Sequence, residues 1–206
     1  MRQRELDQGL QELLQQKIPE NTCTKLNANH ADTNWQNLKE TELTPYLKRI
    51  DRRNANRILC TLRSQSSTMI AARILRQQPV DVRELSAIVS EKALMAAKRA
   101  PKHLRPLIQL GAIMNFQHEL LRDLYEVSLP KLEELRDVAL SAGALGVKLS
   151  GAGMGGCLMA LTRTASEASK ILKEAHTAGA ADGWTCKVDK GVKIDGTSAR
   201  AVKDLS

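Results

Sequence analysis

Four glycines fall within the six residues Gly151-Ala152-Gly153-Met154-Gly155-Gly156, between Lys148-Leu149-Ser150 and Cys157-Leu158-Met159-Ala160-Leu161. Glycine loses more conformational freedom on folding than any other residue, so this density excludes helix or strand interior and forces a loop. Such a loop uses its glycines for left-handed dihedrals or for close backbone approach. Its successive N–H groups can then turn inward as a cradle for anionic oxygens, phosphate above all. Lys148 would add a point charge at the entrance, and Ser150 a neutral donor. A tight hairpin whose glycines serve only the turn accounts for the glycines equally well. The flanking sequence has to decide.

A chain of 206 residues, 42% hydrophobic and 26% charged, has the length and balance of one soluble globular domain, alone or with an extension. No apolar run approaches the roughly 18 residues of a membrane helix, and Met1-Arg2-Gln3-Arg4-Glu5 is no secretory signal. Cys23, Cys60, Cys157 and Cys186 are scattered, so reduced thiols and a cytoplasmic location are expected, with no zinc site. The net charge of +8 favours an anionic partner. With aromatics at 2% and Lys/Arg spread along helix faces, nucleic acid is not the expected one.

Leu6, Leu10, Leu13 and Leu14 predict a helix over residues 2–17. The polar stretch 21–37 reads as a loop or insertion near 20–40, in which His30 beside Asp32 lacks a third ligand and reads as a surface histidine. Residues 41–76 read as helix in two pieces, with Leu47, Ile50, Ile58, Leu62, Ile70, Ile74 and Leu75 inward. Arg49, Asp51, Arg52, Arg53 and Arg57 read as a solvated charged face. Asp81 is expected to cap a helix running to about Arg99, and a further helix follows from Leu107 to Tyr125. On that helix Ile113, Phe116, Leu120, Leu121 and Leu124 are core candidates. Residues 1–110 are thus mostly helical.

The pattern then changes. Ser128 as N-cap and Pro130 in the first turn predict a helix to Gly143. Leu145–Leu149 and Cys157–Leu161 read as strands on either side of the glycine loop, with Cys157 a buried small apolar residue. Thr164-Ala165-Ser166-Glu167 is a capping box opening a helix that ends at Gly179. Residues 184–188 and 191–195 are expected to form a last β pair, and 196–206 a flexible tail. The fold class is α+β: a small antiparallel sheet backed by helices, preceded by a mostly helical N-terminal part.

Three runs carry a resemblance: Met114-Asn115-Phe116-Gln117-His118-Glu119-Leu120-Leu121, Val127-Ser128-Leu129-Pro130-Lys131-Leu132-Glu133, and Gly143 through Cys157. Together they resemble the C-terminal half of a GHMP kinase, the superfamily of galactokinase, homoserine kinase, mevalonate kinase and phosphomevalonate kinase. The likeness covers residues 111–162 and extends to about 195, implying a ferredoxin-like C-terminal domain over 111–195. Lys148-Leu149-Ser150-Gly151-Ala152-Gly153, Met114-Asn115 and His118 resemble the mevalonate kinase branch. Leu121-Arg122-Asp123-Leu124-Tyr125-Glu126-Val127-Ser128 resembles galactokinase, which usually carries Arg-Met-Thr where this chain has Lys148-Leu149-Ser150.

The resemblance implies a kinase that moves a phosphoryl group from ATP, with Mg2+, to the hydroxyl of mevalonate or a sugar. It assigns the nucleotide-facing role to Lys148, Ser150, Gly151, Ala152, Gly153, Gly155 and Gly156. The family's ATP-binding loop, Pro-x-x-x-Gly-Leu-x-Ser-Ser-Ala, has no counterpart in these residues, and the catalytic aspartate belongs with it. No general base is therefore named, and His118 is read as a packing or hydrogen-bonding residue. The expectation is a C-terminal part inactive alone, whose partner is an N-terminal kinase half or a second copy. A non-catalytic phosphometabolite-binding module is the alternative.

Overall fold

The computed structural model describes residues 2–151 and 153–187. In chain order the elements are α1 (Arg2–Leu14), α2 (Glu20–Cys23), α3 (Glu40–Leu47), α4 (Arg52–Leu75), α5 (Val82–Ser86), α6 (Glu91–Arg99) and α7 (Arg105–Glu119). A π-helical turn (Leu120–Leu124) follows, then α8 (Pro130–Ser141), β1 (Gly146–Ser150), β2 (Cys157–Leu161) and α9 (Ala165–Thr177). This is an α+β architecture, with a long helical part leading into an antiparallel hairpin backed by α8 and α9.

The caps explain most helix starts. Asp51 accepts from the N–H groups of Arg53 at 2.8 Å and Asn54 at 3.2 Å, opening the 24-residue α4. Asp81 accepts from Arg83 N–H, but α5 stops at Ser86 and a second cap, Ser90, opens α6. The expected helix from Asp81 to Arg99 is thus two helices, because Ser90 offers the backbone a better start than continuation. Ser128 is not an N-cap. Leu129 holds that position with no side-chain cap, and the Ser128 hydroxyl donates to Glu133 instead. Thr164 caps α9 through Glu167 N–H, while the Glu167 carboxylate turns to Arg163 N–H.

Burial follows the helical periods. Leu6, Leu10 and Leu13 of α1 pack with Leu43, Leu47, Ile58 and Leu62, and Ile70 and Ile74 pack with Leu85, Val89 and Ile113. Leu26 and Leu38 bring the polar stretch into the first of these clusters. Three burial assignments change, two from inward to exposed and one from exposed to buried. Leu75, on the last turn of α4, is 69% exposed. Arg57 is fully buried, not on the solvated face that holds Arg49, Arg52 and Arg53. Cys157 is exposed, because only one face of β2 meets the core clusters and Leu158, not Cys157, is on it.

β1 and β2 pair in antiparallel register, Gly146 with Leu161 and Ser150 with Cys157. Val147 packs against Ala139 and Ile171, and Leu149 against Val127 and Leu132. Residues 184–187 form no strand, contrary to expectation: they follow α9 as irregular exposed chain. The expected strand 191–195 and the tail 196–206 lie outside the described residues.

Candidate functional site

The site is built on how α8 hands the chain to β1. α8 ends in a Schellman motif: Gly143 N–H donates to Leu140 C=O and Ala144 N–H to Ala139 C=O, with Gly143 at φ +114°. That reversal aims β1 along α7. The two come closer than side chains allow, since a Cβ on Gly146 would lie 2.1 Å from Gly111 O and one on Gly111 2.6 Å from Leu145 O. Glycine at both positions is a packing requirement.

α7 then supplies hydrogen-bond partners for the strand. Val147 N–H donates to Asn115 Oδ1 at 3.0 Å, Asn115 Nδ2 donates to Leu145 O at 3.3 Å, and Leu149 N–H donates to His118 Nδ1 at 3.1 Å. Alternate residues of a strand present these groups to one edge, so two side chains cover an edge that would otherwise need another strand. Because a backbone N–H can only donate, His118 Nδ1 must accept. The ring is then neutral, with its proton on Nε2, which donates to Glu133 Oε1 at 2.8 Å. Burial pushes the His118 pKa below its ordinary value, against the pull of Glu133. Burial raises the Glu133 pKa, but the bonds from Ser128 and His118 outweigh it and leave the carboxyl below the usual range. His118 is fully buried and hydrogen-bonds to the strand, in keeping with its reading as a packing or hydrogen-bonding residue.

The glycine loop leaves the end of this clamped strand. Gly151, Gly153, Met154, Gly155 and Gly156 all have φ between +58° and +130°. Its anchor is Val127, whose carbonyl accepts from Met154 N–H at 2.8 Å. A Cβ on Gly153 would lie 2.4 Å from Val127 Cβ, so the loop sits directly on that residue. The N–H groups of Gly151, Gly153, Gly155 and Gly156 meet no backbone carbonyl among the described residues. Left-handed residues in succession, with N–H groups that meet no backbone carbonyl among the described residues, suit an anion's oxygens.

Lys148 and Ser150 stand on one face of β1, across from Met159 and Cys157, and are half-buried. The structure therefore brings Lys148, Ser150, Gly151, Gly153, Gly155 and Gly156 to one end of the hairpin. Ala152 lies outside the described residues. Among the described residues no group of three or more His, Cys, Asp or Glu could hold a metal ion. Sequence reasoning alone had not marked Val127 as the loop's seat or Gly111 as the partner of Gly146, although Val127 opens one of the runs that carried the resemblance and Gly111 lies three residues before another. The Gly111–Gly146 pair had a signal, a glycine inside a helix, where it is costly without a packing reason.

Residues 92–181 match the family model described as GHMP kinases C terminal. The chain is 42% identical over 88 residues to the mevalonate kinase of Thermococcus onnurineus, covering 43% of this chain and 25% of that protein. It is 39% identical over 80 residues to a galactokinase of Roseiflexus sp., covering 38% of this chain and 20% of that one. Against the crystal structure of L. major mevalonate kinase in complex with R-mevalonate it is 30% identical, with a TM-score of 0.34, covering 55% of this chain and 34% of that one. Residues 92–181 are thus similar to the C-terminal domain of GHMP kinases, and the chain spans about a quarter of the length of the mevalonate kinase it matches.

Proposed function

We propose that this chain is the C-terminal part of an ATP-dependent small-molecule kinase, which phosphorylates a metabolite hydroxyl and is inactive without an N-terminal ATP-binding half. The observation that carries the reading is the seated glycine loop, with its row of positive φ values and four N–H groups that meet no backbone carbonyl among the described residues. In phosphoryl transfer the protein chiefly positions groups and neutralises charge. Gly151, Gly153, Gly155 and Gly156 would take phosphate oxygens on their N–H groups, with Ala152 between them. Lys148 would add a cation and Ser150 a hydroxyl at the edge. ATP fits this donor set. Mg2+ would arrive with the nucleotide, because the described residues offer it no carboxylate cluster.

Mevalonate is the preferred acceptor, on the Lys148-Leu149-Ser150 form of the loop and on likeness to mevalonate kinases. A sugar acceptor is the second reading, favoured by Leu121–Ser128 and by likeness to galactokinases. We place the C-terminal domain at 111–195, a helical region at 1–110 and a tail at 196–206. The protein works in the cytoplasm, with an N-terminal kinase half or a second copy as partner and no nucleic-acid or membrane partner. No helix among the described residues is long and apolar enough to cross a membrane.

Calorimetry with Mg-ATP, R-mevalonate, mevalonate phosphate and galactose 1-phosphate tests this reading. The chain alone should give no heat at affinities tighter than about 1 mM. Adding the N-terminal half of the Thermococcus onnurineus mevalonate kinase should bring out binding of Mg-ATP. Tight binding of a phosphometabolite by the chain alone would instead make it a binding module.

A further inference from the structure

We propose that Arg57 is a positioning residue for the glycine loop, acting as a strut from α1 and α4 to the loop's seat at Val127. Arg57 is fully buried and branches three ways. Its Nε donates to Glu5 Oε2 on α1 at 2.7 Å, and its Nη2 donates to Glu126 Oε2 at 2.7 Å. Its Nη1 donates to Leu124 O, and its guanidinium lies 5.7 Å from the centre of the Tyr125 ring. Three consecutive residues, Leu124, Tyr125 and Glu126, are thereby held from one side chain of α4. Arg2 adds a fourth hold, donating from Nη2 to Glu126 O at 3.0 Å.

What this holds is a turn with a strained residue, whose own backbone closure includes Val127 N–H donating to Leu121 O at 3.1 Å. After the π-helical turn, closed by Tyr125 N–H donating to Leu120 O, Glu126 has φ +55°. A non-glycine residue there is strained and persists only when its surroundings fix it. The next residue is Val127, which carries Met154 N–H on its carbonyl and leaves no room for a Cβ on Gly153. Rotation at Glu126 would swing that carbonyl away from the loop. On the far side, Ser128 is tied to Glu133 and through it to His118, which fixes β1. The strand end of the loop is therefore set by α7, and its seat by Arg57. An unpaired buried guanidinium is costly, so the strut engages as a unit or not at all.

The consequence for a nucleotide rests on the kinase reading above, but the strut is testable without one. Hydrogen exchange on the full chain compares Arg57→Met and Glu126→Gln with a control, Arg63→Met. The control removes the α4–α3 ion pair of Arg63 with Glu40, at 2.6 Å, which touches nothing near the loop. Met154 N–H should exchange about tenfold faster in both strut variants, as local opening becomes easier. Val147 and Leu149 N–H, held by α7, should keep their protection, and the control should leave all three unchanged. Glu126→Gln keeps the side chain's size and decides the question if Arg57→Met does not fold. Unchanged Met154 exchange overturns the strut, and so does equal acceleration at Val147 and Leu149, which would mean general destabilisation. In an assembled kinase, Glu126→Gln should also lower kcat/KM for ATP about tenfold, while Arg63→Met should not. If the assembled wild type shows no turnover, the kinase reading fails and the exchange result still decides the strut.

Discussion

Gly153 and Gly151 do different work, and substitution separates them. At Gly151 an added Cβ meets nothing within 4 Å, so Gly151→Ala suffers only left-handed strain, about 1–2 kcal/mol. At Gly153 the same strain is joined by overlap with Val127, and Gly153→Ala should lose about 3 kcal/mol or more. Urea unfolding should give the lower midpoint for Gly153→Ala; equal midpoints would remove Val127 as the seat. His118 gives a pH dependence with a fixed sign. Burial, helped by Arg136 and Arg122 and opposed by Glu133, holds its folded pKa below the ordinary 6.5. Well above pH 6.5 neither folded nor unfolded state holds the proton. As pH falls below that, the unfolded chain binds a proton that the folded ring refuses, and stability drops. The lowered carboxyl of Glu133 adds a loss of the same sign at lower pH. Urea midpoints should therefore fall from pH 7.5 to 5.5, and less steeply in His118→Asn. A midpoint that rises on acidification would contradict the neutral assignment.

Among the elements, the α7–β1 contact is the most exacting. Gly146→Ala would place a Cβ 2.1 Å from a backbone oxygen, which no rotamer relieves, so it should cost about 3 kcal/mol or more and melt the hairpin first. Circular dichroism melts that match wild type would refute the close approach. The hairpin itself was legible in the sequence, because a glycine cluster between Val147-Lys148-Leu149 and Leu158-Met159-Ala160-Leu161 leaves few alternatives. Asp81 and Thr164 were legible as caps, since a cap is a local rule. Arg57 was not, because the groups that make its burial tolerable lie 52 residues before it and 69 after. The exposure of Cys157 was hidden for a different reason: β2 is apolar at every position, so no alternation says which face meets the core.

For the whole molecule, the proposed kinase reading makes the loop one wall of a site. Met154 at the loop and Met159 on β2 are 65% and 48% exposed, on the hairpin that also carries Lys148 and Ser150. A surface of this kind suits a partner, and the chain alone should associate with itself as concentration rises. A monodisperse monomer by light scattering at high concentration would count against that. The central claim, that the glycine loop serves phosphoryl transfer only when an N-terminal half completes the site, is met most directly by ADP release. The chain, the N-terminal half of the Thermococcus onnurineus mevalonate kinase, and their mixture would each be assayed with Mg-ATP and R-mevalonate. Turnover should appear in the mixture alone and fall at least about tenfold with Gly155→Val, whose φ of +130° suits only glycine. Turnover by the chain alone, or a mixture indifferent to Gly155→Val, would contradict it.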